Sequence, residues 1–239
     1  MSNQQRQLHD VPNFIKILLI VSLLLQIIGY RYNPSVQIES LHIPPSIETL
    51  KMTSLGDPIV AAKLYMLWLR TFEIQAGQIL SYDQLNYQAL RQWLESILEL
   101  DPRSQYPLLV ASHLYSNVNN PLKQRGMLDF IYLEFLKAPN HRWSWLAHAV
   151  VLARHRLKDL PLALKYAQAI SDHATTDMPR WAQEMRIFIL EDMGELERAQ
   201  LIIGGILLEG QLTDPKEIEF LSERLKALEK KAQSNGMDF

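Results

Sequence analysis

Three histidines, His141, His148 and His155, recur every seven residues along the chain. On a helix, seven residues advance about 10.5 Å along the axis, whereas two imidazoles sharing a metal stand one turn apart, at i and i+4. No histidine pair in the sequence has that spacing. The stripe is therefore read as a polar face that lines a groove or meets solvent, with a proton-sensitive binding face as the alternative because imidazole titrates near neutrality. The chain contains no cysteine, which removes disulfides, thiolate zinc sites, iron–sulfur clusters and thiol nucleophiles. Phosphate-binding glycine loops, the dinucleotide fingerprint, the HExxH metal motif and the GxSxG nucleophile turn are absent as well. Glu184, Glu191, Asp192, Glu195 and Glu197 cluster around a turn between helices, where solvation and complementation of the helix dipole account for acidic residues. No catalytic residue, metal or cofactor is expected, and the chain reads as a binding protein and not an enzyme.

The best binding candidates are polar residues isolated on apolar helices. Lys63, Arg70 and Glu73 are the only charged residues between Ile59 and Ala76, and their spacings of seven and three place them on one narrow stripe. The rest of that circumference, with Val60, Leu64, Leu67, Trp68, Leu69 and Phe72, is apolar, which predicts a helix covered on more than one side. His148 and His155 form the polar wedge of their own helix. Arg154 falls among Trp143, Ala147, Val150, Val151 and Leu157 on the packing side and requires a carboxylate or carbonyl partner if buried. Lys63, Arg70, Glu73, His148 and His155 are thus the expected partner-binding residues, lining a groove for an extended segment or a partner helix. With 24 basic against 26 acidic residues, the net charge of −2 gives no bulk attraction to nucleic acid. The expected partner is a protein, and no small-molecule substrate is expected.

The elements that position these residues begin with an apolar run. Ile17 to Tyr30 is fourteen residues without a charge, bounded by Lys16 and Arg31. That run covers only about 21 Å of a hydrocarbon core of about 30 Å, so a span needs Phe14, Ile15 and the snorkelling of both basic side chains. A cleaved signal peptide would show small residues after the run, and GYRYNPS has no such pattern. A buried core helix is the third alternative, but the run has no polar stripe. An uncleaved signal anchor is expected, with its basic residues before the span keeping the N-terminus cytoplasmic. The bulk of the chain would then lie across the inner membrane, in the periplasm of a bacterium. Ser22, Gln26 and Gly29, spaced four and three, would make a small or polar seam against neighbouring spans. The proline-bearing stretch 33–45 reads as an extended spacer.

Beyond residue 46 the punctuation is helical. Asp57-Pro58 makes an N-cap with proline at the first helical position, and that helix is expected to run to Gly77. A second spans 82–100. Pro102, Pro139, Pro179 and Pro215 then recur at intervals of 37, 40 and 36 residues, a period that signals helix-hairpin repeats. The expected pairs are 104–118 with 121–137, 142–157 with 160–172, and 179–193 with 195–209. A final helix, 215–232, turns Ile218, Leu221, Leu225 and Leu228 inward and Glu217, Glu219, Glu223, Arg224, Lys226 and Glu229 outward. Gly204 and Gly205 each cost about 1 kcal/mol against alanine within an apolar helix, which predicts close packing or a kink there.

KDLPLALKYAQAI at 158–170 and GELERAQLIIGGIL at 194–207 resemble the inter-helix turn and second helix of tetratricopeptide repeats, with Ala163 and Ala199 at the small-residue position where two helices cross. SILELDP at 96–102 resembles the ending of that repeat, and KAPN at 137–140 is a weaker version. The resemblance covers roughly residues 58–209, with repeats of 36–40 residues where the family has about 34. SLGDPIVAAKLYMLWLRTF at 54–72 also looks like the opening of membrane-anchored tetratricopeptide proteins of bacteria. The resemblance implies stacked hairpins with a concave surface lined by first helices.

The fold expected is all-α: a helix-hairpin, tetratricopeptide-like solenoid preceded by one transmembrane helix. Its parts are a cytoplasmic segment 1–13, the anchor 14–32, the spacer 33–45, the array 46–232 and a disordered tail 233–239. The function expected is that of a membrane-tethered scaffold or adaptor in the assembly of an envelope or membrane complex. The alternative is an accessory subunit of a larger membrane enzyme or secretion complex, held through its transmembrane helix.

Overall fold

Short polar side chains set half of the helix starts in the computed structural model, which describes residues 12–32, 41–72, 74–75, 78–79, 82–175, 177–208, 212 and 214–236. Helix α2 (Ile47–Thr53) follows Ser46, whose hydroxyl accepts from the amide of Thr49. Helix α3 (Pro58–Thr71) starts at Asp57, whose carboxylate accepts from the amide of Val60 at 3.0 Å. Asn86 caps α4 (Tyr87–Leu100) and Asn120 caps α6 (Pro121–Lys137), each accepting two amides. Asp159 caps α8 (Leu160–Asp172), and Asp214 caps α12 (Pro215–Gly236). Each cap satisfies amides that the first helical turn leaves without partners.

The chain divides into two compact units, Met1–Glu39 and Ser40–Phe239. The first contains α1 (Asn13–Tyr32), whose apolar side chains from Ile17 to Ile28 are exposed. Among the described residues no helix is long and apolar enough to cross a membrane.

The second unit is all-α apart from one pair of two-residue strands, β1 (Ile74–Gln75) and β2 (Gln78–Ile79), which pair antiparallel. Its remaining helices are α5 (Tyr106–Val110), α7 (Pro139–Leu152), α9 (Arg180–Gln183), α10 (Met185–Asp192) and α11 (Leu196–Leu208). Helices pack chiefly on their neighbours along the chain: α3 on α4, α6 on α7, α7 on α8, α10 on α8 and α11, and α11 on α12. One core cluster runs from Leu41 to Ile189, and a second joins Ile187, Leu190, Leu196, Ala199 and Ile203 to Leu221 and Leu228 of α12. Ala163 and Ala199 are completely buried.

Several boundaries differ from those expected, each for a local reason. Helix α3 stops at Thr71, where the Thr71 hydroxyl bonds back to the carbonyl of Trp68 and Phe72 turns into the core; Gly77 lies outside the described residues. Helix α4 starts at the Asn86 cap, and Tyr82–Gln84 forms a separate 3₁₀ turn. The segment 41–45, expected as part of the spacer, is fastened to α4: Trp93 Nε1 donates to the carbonyl of His42 at 2.8 Å, and Leu41 is buried. Helix α12 continues to Gly236, beyond the expected boundary at 232. Ile218 is exposed, whereas Glu217 and Arg224 turn toward preceding helices and pair with Arg180 and Glu191.

Two helices end in π-helical turns, Ala111–Tyr115 after α5 and Ala153–Leu157 after α7. At the first, the buried Ser116 sends both its amide and its hydroxyl to the Ala111 carbonyl. At the second, the amide of Asp159 reaches the Ala153 carbonyl past Lys158, which adopts a left-handed φ of 54°. A π turn holds an extra residue, so the seven-residue register of the histidines does not survive from His148 to His155.

Candidate functional site

The buried side of α3 is narrow. Ala61, Ala62, Met66 and Leu69 pack inward, while Val60, Leu64 and Leu67 stand in solvent at spacings of four and three, the last two 60% and 67% exposed. This overturns the expected covering on more than one side: among the described residues α3 meets chiefly α2, α4 and β1, and its apolar stripe stays exposed. Beside the stripe, Ala62, Met66 and Leu67 face Ile97 of α4 and Tyr106-Pro107 at the start of α5 across a cleft of about 320 Å³. Lys63, Arg70 and Asp101 also line it, so two of the expected binding residues share one opening. An apolar floor with a few charged groups suits an amphipathic side chain or helix edge. Glu73 lies outside the described residues.

The remaining candidates lie elsewhere. His148 does not line this cleft but stacks on His113 of the π turn after α5. Ser112 Oγ lies 2.8 Å from His113 Nδ1, and Trp145 meets the His113 ring edge-on. Burial holds His148 below the usual histidine range, and the adjacent His113 lowers it further. His141 and His155 are exposed and join neither ring, so the expected stripe of three is one stacked pair assembled from two helices. His113 stands on a different helical segment from the other three, which is why spacing along one helix could not bring it to His148. Among the described residues no group of three or more metal-ligating side chains is assembled.

Arg154 is half-buried and not enclosed; its Nε and Nη2 both meet the carboxylate of Asp192, the latter at 2.9 Å. A second ion pair is wholly interior. Arg142 Nη1 donates to Glu134 Oε2 at 2.5 Å and to the Glu134 carbonyl at 2.8 Å, and Nη2 reaches the Pro102 carbonyl. Lys137 bridges Glu134 and Glu95, and despite partial burial those carboxylates raise its pKa. This network ties α6 and α7 to the end of α4.

Glu184 is not the solvated surface residue expected of the acidic cluster. The helix expected over 179–193 is interrupted there, between α9 and α10, and the side chain is buried. Burial, reinforced by Glu217 and opposed by Arg180, pushes its carboxyl up to about 7. Nor do Gly204 and Gly205 mark close packing: a Cβ at either would meet nothing within 4 Å.

In the other unit, Ser22 donates to the Leu19 carbonyl of its own helix, Gln26 is exposed, and a Cβ on Gly29 would meet nothing within 4 Å. No family model, no curated protein and no solved structure matches the chain.

Proposed function

We propose that the chain is a membrane-anchored scaffold of tetratricopeptide-like helix hairpins that holds a protein partner at the membrane surface, in the assembly of an envelope or membrane complex. The observation that carries this reading is the uncovered apolar stripe of α3 beside the cleft of Lys63 and Arg70. Exposed leucines at i and i+3 beside a charged rim match what a partner helix covers. The anchor is argued from the apolar run within α1, a helix that by itself is not long and apolar enough to cross a membrane. That run is short, and Lys16 and Arg31 would complete the span by reaching the headgroups. In this reading the helical array faces the periplasm of a bacterium, across the inner membrane. Tethering raises the effective concentration toward membrane partners, so modest affinity suffices.

Crosslinking the full chain in its native membrane, and then the variant Leu64→Glu/Leu67→Glu, tests the proposal. Loss of the crosslinked partners in the variant, with its helical content intact, supports it; an unchanged set overturns the assignment of α3 as the docking face. The second reading, an accessory subunit packing through α1, is favoured by the exposed Gln26 beside the bare Gly29. Gln26→Leu separates the two: unchanged co-purification with membrane partners counts against lateral packing.

A further inference from the structure

The turn between α2 and α3 carries a leucine that neither conformation nor packing calls for. Leu55 has a left-handed φ of 51° and is 96% exposed. That region disfavours any residue with a Cβ, and the glycine suited to it stands one position later, at Gly56, with a φ of 91°. Two further large apolar side chains stand open on either side of the tip, Met52 at the end of α2 and Ile59 in the first turn of α3. A strained apolar residue held in solvent at a protruding turn points to a surface that the turn meets.

The polar groups of the turn are occupied within it. The hydroxyls of Thr53 and Ser54 donate to the carbonyls of Leu50 and Lys51 at 2.9 and 2.6 Å. The amides of Ser54 and Asp57 donate to the carbonyls of Lys51 and Ser54, and the Asp57 carboxylate accepts from the amide of Val60. Groups satisfied in this way lose little when water is withdrawn, which suits an apolar medium that has no hydrogen bonds to return. The charges at the base of the turn, Lys51 and Asp57, are of opposite sign, and Lys51 lies 3.5 Å from Glu99. The tip is apolar and its base electrically balanced.

We propose that the α2–α3 turn makes a second contact with the bilayer, in which Leu55, flanked by Met52 and Ile59, enters the boundary between the lipid headgroups and the acyl chains. The inference rests on the membrane anchor of the proposed function. Eight residues, 33–40, separate α1 from Leu41, and a chain of that length reaches at most about 30 Å. With α1 in the bilayer, this tether holds the array at the lipid surface and raises the effective concentration of the turn there, so a few apolar side chains suffice. Insertion is shallow, about 5–10 Å, and needs no anionic lipid because the turn offers no excess of positive charge. A tether and one inserted turn restrict how the array rotates against the membrane.

The test uses the full chain in phosphatidylcholine vesicles that contain nitroxide-labelled lipid as a quencher. Because the chain has no cysteine, a single introduced one carries a single environment-sensitive fluorophore. At Leu55→Cys the emission is expected to shift to the blue and to be quenched by the lipid nitroxide. At Leu208→Cys, 89% exposed at the end of α11, it is expected to stay aqueous and unquenched. Leu55→Asp should abolish the quenching of a fluorophore carried at Met52→Cys. An aqueous, unquenched signal at Leu55→Cys overturns the proposal, and a label at Leu24→Cys tells whether the anchor fails with it: a quenched Leu24 site leaves the anchor standing, an aqueous one overturns both. Equal quenching at Leu208→Cys, or a Met52→Cys signal unchanged by Leu55→Asp, overturns the assignment to this turn. A Leu55→Cys signal that shifts only in native membranes, and not in pure lipid, assigns the turn to a protein partner and overturns it too.

Discussion

The imidazole of His148 lies flat on that of His113, with ring centroids 4.4 Å apart and planes 2° from parallel. A proton on either ring therefore opposes a proton on the other, in surroundings that already disfavour charge on His148. The lowered pKa fixes the sign of the linkage. The stability carried by neutral His148 is fully present above the ordinary value of 6.5 and is lost as pH falls through its lower folded-state value. Titration of the imidazole proton resonances is expected to place His148 below 6.5. In His113→Gln it moves upward but stays depressed, because burial is the larger cause. A value unmoved by the substitution would mean that the stacked ring exerts no electrostatic influence.

The buried pair of Glu134 and Arg142 leads to an asymmetric expectation. Removing one partner strands the other charge inside the protein, so Glu134→Gln or Arg142→Met should each destabilise by about 3–5 kcal/mol. Replacing both, as Glu134→Leu/Arg142→Met, removes the desolvation problem with the interaction and should recover most of that loss. Urea unfolding of the three variants decides it; strictly additive losses would show that the network does not act as a unit.

Glu184 makes stability depend on pH in the opposite direction from His148. Its folded-state carboxyl stands at about 7 against 4.5 for the free group. The stability associated with the protonated form is present below 4.5 and is lost as pH rises through about 7. At about 1.4 kcal/mol per unit, the loss is on the order of 3 kcal/mol. Glu184→Gln should flatten this part of the stability profile between pH 5 and 8, read from unfolding midpoints in a series of buffers; a profile as steep as the parent's would place the ionisation elsewhere.

Two glycines in the middle of α11 meet open space, so alanine should be tolerated at both. Gly204→Ala and Gly205→Ala are each expected to stabilise by about 0.5–1 kcal/mol, through the backbone entropy that glycine loses on forming a helix. Thermal unfolding measures the gain, and destabilisation at either site would reveal a neighbour that presses on the helix.

Leu55 combines a left-handed φ of 51° with 96% exposure. Neither packing nor conformation favours leucine there, so Leu55→Gly should raise stability by about 1 kcal/mol through relief of the backbone. A drop in the unfolding midpoint would indicate that the side chain contributes contacts to the fold.

Much of the local structure was legible in the residues themselves. Asp57, Asp159 and Asp214, each two residues or fewer before a proline, act within a turn of their own position, and the helices start where they stand. The recurring prolines Pro102, Pro139, Pro179 and Pro215 marked the helix pairs, and the apolar neighbours of Arg154 pointed to a polar partner such as the Asp192 it meets. These inferences succeed because capping, periodicity and charge burial are short-range or compositional constraints.

What only the tertiary structure decided is which surfaces meet. Spacing along one helix could not bring His113 to His148, nor the end of α4 to Arg142, because those contacts join separate helices. It could not show that α3 has too few neighbours to cover its leucines, since an apolar residue carries no mark of whether a partner exists. The clearest case is Glu184: its place among other carboxylates indicates solvent, but at a break in the helix its side chain is buried. The amino-acid order determined where helices begin and which of their faces are apolar; helix packing determined which of those faces remain open and which charges are enclosed. The physical reason is that burial belongs to the assembled surfaces, whereas helix initiation belongs to the residues beside it.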